Sequence, residues 1–171
     1  MQPDEARDFL RTHHRALLAT ARADGRPQLS PVTCGLDGAG RVIISTRETA
    51  VKVRNLRRNP LASLCVFTDA FFGPWVQVEG KVEIVSLPEA MELLVEYYRL
   101  ISGEHPDWED YRAAMVRDRR CLVRIEITRV GPVKVRCLGR IQRIELRPGR
   151  KVGVAAAIER YEFLRSDETA T

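Results

Sequence analysis

The 171-residue chain is short of several things: aromatic residues are 6% of it, lysines number four against 24 arginines, and no apolar run nears the ~20 residues of a membrane-spanning helix. The last shortage excludes a helical membrane protein. The opening Met1-Gln2-Pro3-Asp4-Glu5 is acidic and lacks the apolar core of a secretion signal, so a cytoplasmic location is expected. Cys34, Cys65, Cys121 and Cys137 form no CxxC pair, and His13, His14 and His105 lie far from them in sequence. Neither a metal site nor a disulfide framework is expected, and buried free thiols are the better reading. There is no GxSxG, no Cys–His pairing signal and no close carboxylate pair in an apolar frame. No catalytic residue can be assigned from the sequence.

What is present is ordinary for a globular protein: 44% hydrophobic and 30% charged residues, in a length that builds one core. The net charge of +5 is uneven. Residues 1–130 carry 19 Lys/Arg against 18 Asp/Glu, whereas residues 131–153 carry 7 against 1. The division expected is therefore a domain over residues 1–131 and a basic extension over 132–171.

Hydropathy periods and turn residues place the elements. A helix is predicted over 3–14, strands over 15–22 and 27–36 around Asp24-Gly25, and a strand over 41–46 after Asp37-Gly38-Ala39-Gly40. A helix over 49–58 stops before Asn59-Pro60. A strand over 61–68 and a turn at Phe71-Phe72-Gly73-Pro74 lead to a long strand over 75–86. There Val76, Val78, Gly80, Val82 and Ile84 alternate with Gln77, Glu79, Lys81 and Glu83. Helices from Leu87-Pro88-Glu89 to about Ile101 and over 108–118 precede a strand over 121–128. In the extension, 133–137 and 140–146 read as a hairpin and 154–164 as a helix, with the last seven residues disordered. The fold class is mainly β with flanking helices: six antiparallel strands in a small split β-barrel.

The strand over 41–46 ends in Ser45-Thr46-Arg47, and the helix that follows is cationic, with Lys52, Arg54, Arg57 and Arg58. Hydroxyls, the free N–H groups of a helix start and a lysine make a seat for a phosphate. Lys52 and Asn55, three apart on one side of the helix, supply a charge and a neutral donor. Arg54, Arg57 and Arg58 read equally as a solvated face.

Four collinear stretches resemble the pyridoxamine-phosphate-oxidase-like split-barrel superfamily, in its actinobacterial branch that uses the deazaflavin coenzyme F420. They are Leu17-Leu18-Ala19-Thr20 with Asp24 to Val32; Ile44-Ser45-Thr46; Lys52 to Pro60; and Ser102 to Arg112. The resemblance implies a flavin-type six-stranded split barrel that forms a homodimer, with the cofactor in a groove between protomers. It implies that Ser45, Thr46, Arg47, Lys52 and Asn55 hold the cofactor's phosphate and polyol. Ser30, Pro31, Val32 and Thr33 run beside the ring, and Trp75 and Gln77 border it from the second protomer. Some relatives carry Arg where this chain has Ala50, which implies either weaker phosphate binding or a different cation, Arg47 or Arg26, in the gap. Tyr97, Tyr98, Trp108 and Tyr111 read as packing or dimer contacts.

The implied activity is hydride transfer between reduced F420 and an unsaturated small molecule. The absent catalytic dyad fits a cofactor that carries its own hydride. Two alternatives stay open: an FMN-dependent oxidoreductase of the same fold, and a cofactor-binding protein without turnover. Nucleic-acid contact through 133–151 has the charge but neither aromatic platforms nor a recognition motif.

Overall fold

A computed structural model describes residues 1–70, 73–132, 135–147 and 151–163. The chain divides into two units, Gln2–Gly131 and a second that begins at Pro132. The expected turn residues Phe71 and Phe72 lie outside the described residues, as do Val133, Leu164 and the last seven.

In the first unit, α1 (Pro3–Thr12) starts with proline and two acids in its first turn and buries Ala6 and Leu10. Strands β1 (Arg15–Ala21) and β2 (Pro27–Thr33) form a hairpin whose Gly25 takes φ +81°, a conformation that glycine adopts at no steric cost. Two residues, Gly35–Leu36, make β3, and β4 (Val42–Arg47) follows a turn in which Asp37 accepts from the backbone N–H groups of Ala39 and Arg41. Then come α2 (Val51–Arg58), β5 (Leu61–Phe67), β6 (Trp75–Val85), α3 (Met91–Ser102), α4 (Trp108–Arg117) and β7 (Arg120–Gly131).

The sheet has seven strands in the order β2-β1-β5-β6-β7-β4-β3, every pairing antiparallel. Six were expected; the expected strand 27–36 breaks at Cys34 instead. Its first part pairs with β1 and its last two residues pair with β4, at the opposite end of the order. One short segment thus serves both ends, so the sheet curls into a half-barrel. Alternation fixes two faces. The inner carries Ala16, Leu18, Val42, Ile44, Leu64, Val66, Val76, Val78, Val123 and Ile125, all buried. At the β6–β7 irregularity a Cβ on Gly80 would lie 2.1 Å from the Glu126 carbonyl oxygen, so no side chain fits there.

Helices α3 and α4 pack on the outer side of β4 and β7, where Ile43 and Leu122 join Ala90, Leu94, Val95, Tyr111 and Met115 in one cluster. The α3 start differs from expectation: residues 87–90 form a turn, and the helix begins at Met91. Tyr98, Trp108, Tyr111 and His105 stack edge to face between the two helices.

In the second unit, β8 (Val135–Arg147) pairs antiparallel with β9 (Lys151–Phe163) along their lengths. The helix expected over 154–164 is therefore a strand, and the hairpin expected within 133–146 is one continuous strand. Ala155-Ala156-Ala157 favours helix by propensity, but Val152, Val154 and Ile158 sit at strand spacing and a partner strand is at hand. No helix among the described residues is long and apolar enough to cross a membrane.

Candidate functional site

The chain leaves β4 at Arg47, turns with the Ala50 N–H donating to the Arg47 carbonyl at 3.0 Å, and enters α2. Ala50 is the N-cap and has no side-chain acceptor to offer the first-turn N–H groups. Lys52 stands in that turn, half-buried. Burial lowers its pKa, and the nearby Arg120 guanidinium lowers it further. Arg120 opens β7 directly opposite Arg47. Its Nε is buried and has no hydrogen-bond partner. Neither Lys52 nor Arg120 is paired with a carboxylate within 4.0 Å among the described residues. Close by, burial pushes the Cys121 thiol up to about 11, which keeps it neutral and unreactive at physiological pH.

Three of the surrounding arginines are paired with acids of the chain. Arg47 pairs with Asp118 at 3.3 Å, and Arg26 grips Asp24 at 2.6 and 2.8 Å. Arg57 is held by Glu48, whose other oxygen accepts from the Ser86 hydroxyl. Arg58 donates to the Ala21 carbonyl at 2.6 Å and to the Asn55 side-chain oxygen at 3.2 Å. Arg54 is exposed on the other side of α2 from Lys52.

Within one chain the eleven expected site residues occupy several positions, inside and outside the sheet. Asn55 is buried, and its amide donates to the Thr20 hydroxyl at 3.1 Å. Thr20 donates to Gln28, and Gln28 donates to the Ser30 hydroxyl at 2.7 Å. Asn55 and Ser30 are thus members of an internal polar chain, each with its side chain engaged within the fold. Ser45 and Thr46, adjacent on a strand, point oppositely. Thr46 is buried on the inner face across from Cys121, whereas Ser45 lies on the outer face with Arg47 and Arg120. Val32 pairs with Ala16 toward the interior. Pro31 is exposed and heads an outer row, Pro31–Leu17–Cys65–Gln77, across four strands. Trp75, 45% exposed, flanks that row, and Gln77 donates to Glu79 at 2.7 Å.

Tyr97 reaches one of the expected residues: its hydroxyl donates to the Thr33 carbonyl at 2.9 Å. Burial pushes its pKa up to about 12, so the phenol stays protonated and ties α3 to β2. The sequence reading missed this link, and it missed Arg120. The signal for Arg120 existed only in register: 73 positions separate it from Arg47, and cross-strand pairing brings them together.

Grooves open among the described residues away from α2's first turn. One of about 380 Å³ is lined by Ala19, Thr20, Pro27, Ser63, Glu79 and neighbours; another of about 360 Å³ by His13, His14, Phe67 and Asp69. No expected site residue lines either. Among the described residues no group of three or more His, Cys, Asp or Glu is arranged to hold a metal ion.

A curled antiparallel sheet, bent at Cys34 and flanked by α3 and α4, defines the split-barrel class. The sequence profile of pyridoxamine 5′-phosphate oxidase matches residues 2–134, and the chain belongs to that family. Solved structures agree in fold. A conserved hypothetical protein from Mycobacterium tuberculosis is 28% identical, over 76% of this chain and 82% of its own, with a TM-score of 0.63. An F420 reductase is 23% identical, over 72% and 94%, with a TM-score of 0.57. A heme binding protein from Mycobacterium smegmatis is also 23% identical, over 75% of this chain and 52% of its own, with a TM-score of 0.57.

Proposed function

We propose that this chain is an oxidoreductase that uses reduced coenzyme F420 to transfer a hydride to an unsaturated small molecule, working as a cytoplasmic homodimer. The observation that carries the reading is Lys52: a half-buried ammonium at an uncapped helix start, with no acid beside it, in a family whose relatives include an F420 reductase. A phosphate-bearing cofactor fits such a donor set. When bound, the coenzyme supplies the hydride at its own ring. The protein's part is to hold and orient it, which by itself lowers a barrier by several kcal/mol.

In this reading Lys52, Ser45 and the first-turn N–H groups hold the phosphate, and Thr46 supports the seat from inside. Pro31 and Thr33 run beside the ring with Trp75 and Gln77. β2 pairs with β1 alone, so its other row of backbone groups is left to meet a ring edge. Ser30, Val32 and Asn55 shape the strand and helix from within. Arg47 stands at the rim, paired with Asp118.

FMN is the second reading, and one observation favours it. Of the four arginines that would attract the longer anionic F420 tail, Arg47, Arg57 and Arg58 are engaged within the chain. Equilibrium titration with F420 and with FMN, followed by turnover assays with the reduced cofactor, separates the readings. Tighter F420 binding with turnover supports the proposal, FMN preference supports the second reading, and binding without turnover indicates a carrier. The dimer rests on exposed apolar residues of one sheet face, Leu17 at 37%, Leu29 at 61% and Trp75 at 45%. Sedimentation is expected to give a dimer, and Leu29→Asp to shift it toward monomer. A wild-type monomer that binds cofactor contradicts the shared groove.

A further inference from the structure

Cations on β4, on α2, in the β1–β2 turn and at the start of β7 differ in their partners, and Arg54 is set aside because it lies on the other side of α2 from Lys52. Arg47 has Asp118, Arg26 has Asp24, Arg57 has Glu48, and Ala50 contributes no charge. Arg120 has none. It shares the outer face of β4 and β7 with Ser45, because Ser45 pairs with Leu122 and residues two apart on a strand face the same way. Register sets it directly opposite Arg47, where the chain leaves β4 for α2, and its charge acts on Lys52, Tyr97, Tyr111 and Cys121. Two like charges without an acid between them repel, and a buried guanidinium N–H without an acceptor adds to the cost. An oxyanion placed between the two cations turns that repulsion into attraction and satisfies the orphaned N–H. A planar guanidinium suits two phosphate oxygens at once; an ammonium serves as a point charge beside it.

We propose that Arg120 is the second cation of the anion seat and binds, together with Lys52, a phosphate-class group. The inference deepens the cofactor reading above and rests on it only for the identity of the ligand. Arg120 supplies the fork, Lys52 the point charge and Ser45 a hydroxyl, while Arg47 and Arg26 stay outside the seat.

The test uses the full chain and two probes. The first is titration of FMN against riboflavin, which lacks the phosphate. Arg120→Gln is expected to weaken FMN by about tenfold or more while leaving riboflavin within about twofold. Arg120→Lys is expected to recover part of the loss, which shows that the charge and not the fold is responsible. The second probe is inorganic phosphate at fixed ionic strength, read as a rise in melting temperature. Wild type and Arg47→Gln are expected to show the rise, Arg120→Gln and Lys52→Ala to lose it. A full rise and unchanged FMN affinity in Arg120→Gln overturn the proposal and leave the cofactor reading standing. An Arg120-dependent phosphate response with neither FMN nor F420 bound leaves the anion seat and removes the cofactor reading. Absence of any phosphate response or FMN–riboflavin difference in wild type overturns the proposal.

Discussion

The two ends of α2 carry the same kinds of residue and put them to opposite uses. At its last turn Arg57 and Arg58 are tied to Glu48, the Ala21 carbonyl and Asn55, and Asn55 in turn is tied to Thr20. At its first turn Lys52 and the nearby Arg120 are left without a counter-charge. Charge near a helix therefore says little about ligands until its partners are counted. Satisfied polar groups fix the structure, and unsatisfied ones mark where something else is to bind.

Lys52→Ala should have the largest effect on function, weakening a phosphate-bearing cofactor by about 1.5–3 kcal/mol as a charge-assisted contact is lost. Its unfolding midpoint should hold or rise, because burial disfavours the ammonium. A large drop in stability without loss of affinity would place Lys52 with the structural cations. At the other end, Asn55→Ala should cost about 1–3 kcal/mol in urea unfolding, since it removes the buried donor to Thr20 and an acceptor for Arg58. If Asn55→Ala leaves stability intact and abolishes cofactor binding, the two ends have been assigned the wrong way round.

How much of this was legible in the sequence follows the range of each signal. The turns at Asp24-Gly25 and Asp37 to Gly40, and the alternation along β6, are local and read directly. The break at Cys34 was not legible, because it depends on β3 finding β4 rather than β1. Helix periodicity placed Lys52 and Asn55 on one side, yet at the last turn that side meets Thr20, and at the first it meets Arg120. Strand periodicity already set Ser45 and Thr46 on opposite faces. Which face is covered became clear only from the packing of α3 and α4. In β9, where a helix was expected over 154–164, alanine propensity favours helix locally and the partner strand decides for a strand.

A pH series sharpens the comparison more gently. Lys52 has a folded-state pKa below the usual 10.5, so at alkaline pH the unfolded chain holds more protons there than the folded one. Stability contributed by this site should rise as pH climbs from the lowered value toward 10.5, while anion affinity falls over the same window as the ammonium is lost. Lys52→Ala should flatten both trends. Of the groups that act on Lys52, Arg120 keeps its charge in that range, whereas the Cys121 thiol, pushed up to about 11, begins to ionise toward the upper end and there favours the ammonium. Smallest of all, Arg47→Gln and Arg26→Gln should shift cofactor affinity and stability by no more than about 0.5–1 kcal/mol each, as expected of exposed ion pairs. A tenfold affinity loss in either would put it inside the seat.

The most direct measurement is a side-by-side fluorescence titration of F420 and FMN into wild type and Lys52→Ala. The account predicts that wild type binds F420 more tightly than FMN and that the lysine variant loses both in proportion to a missing phosphate contact. Equal affinities in wild type and variant, or binding of neither cofactor by wild type, would contradict it.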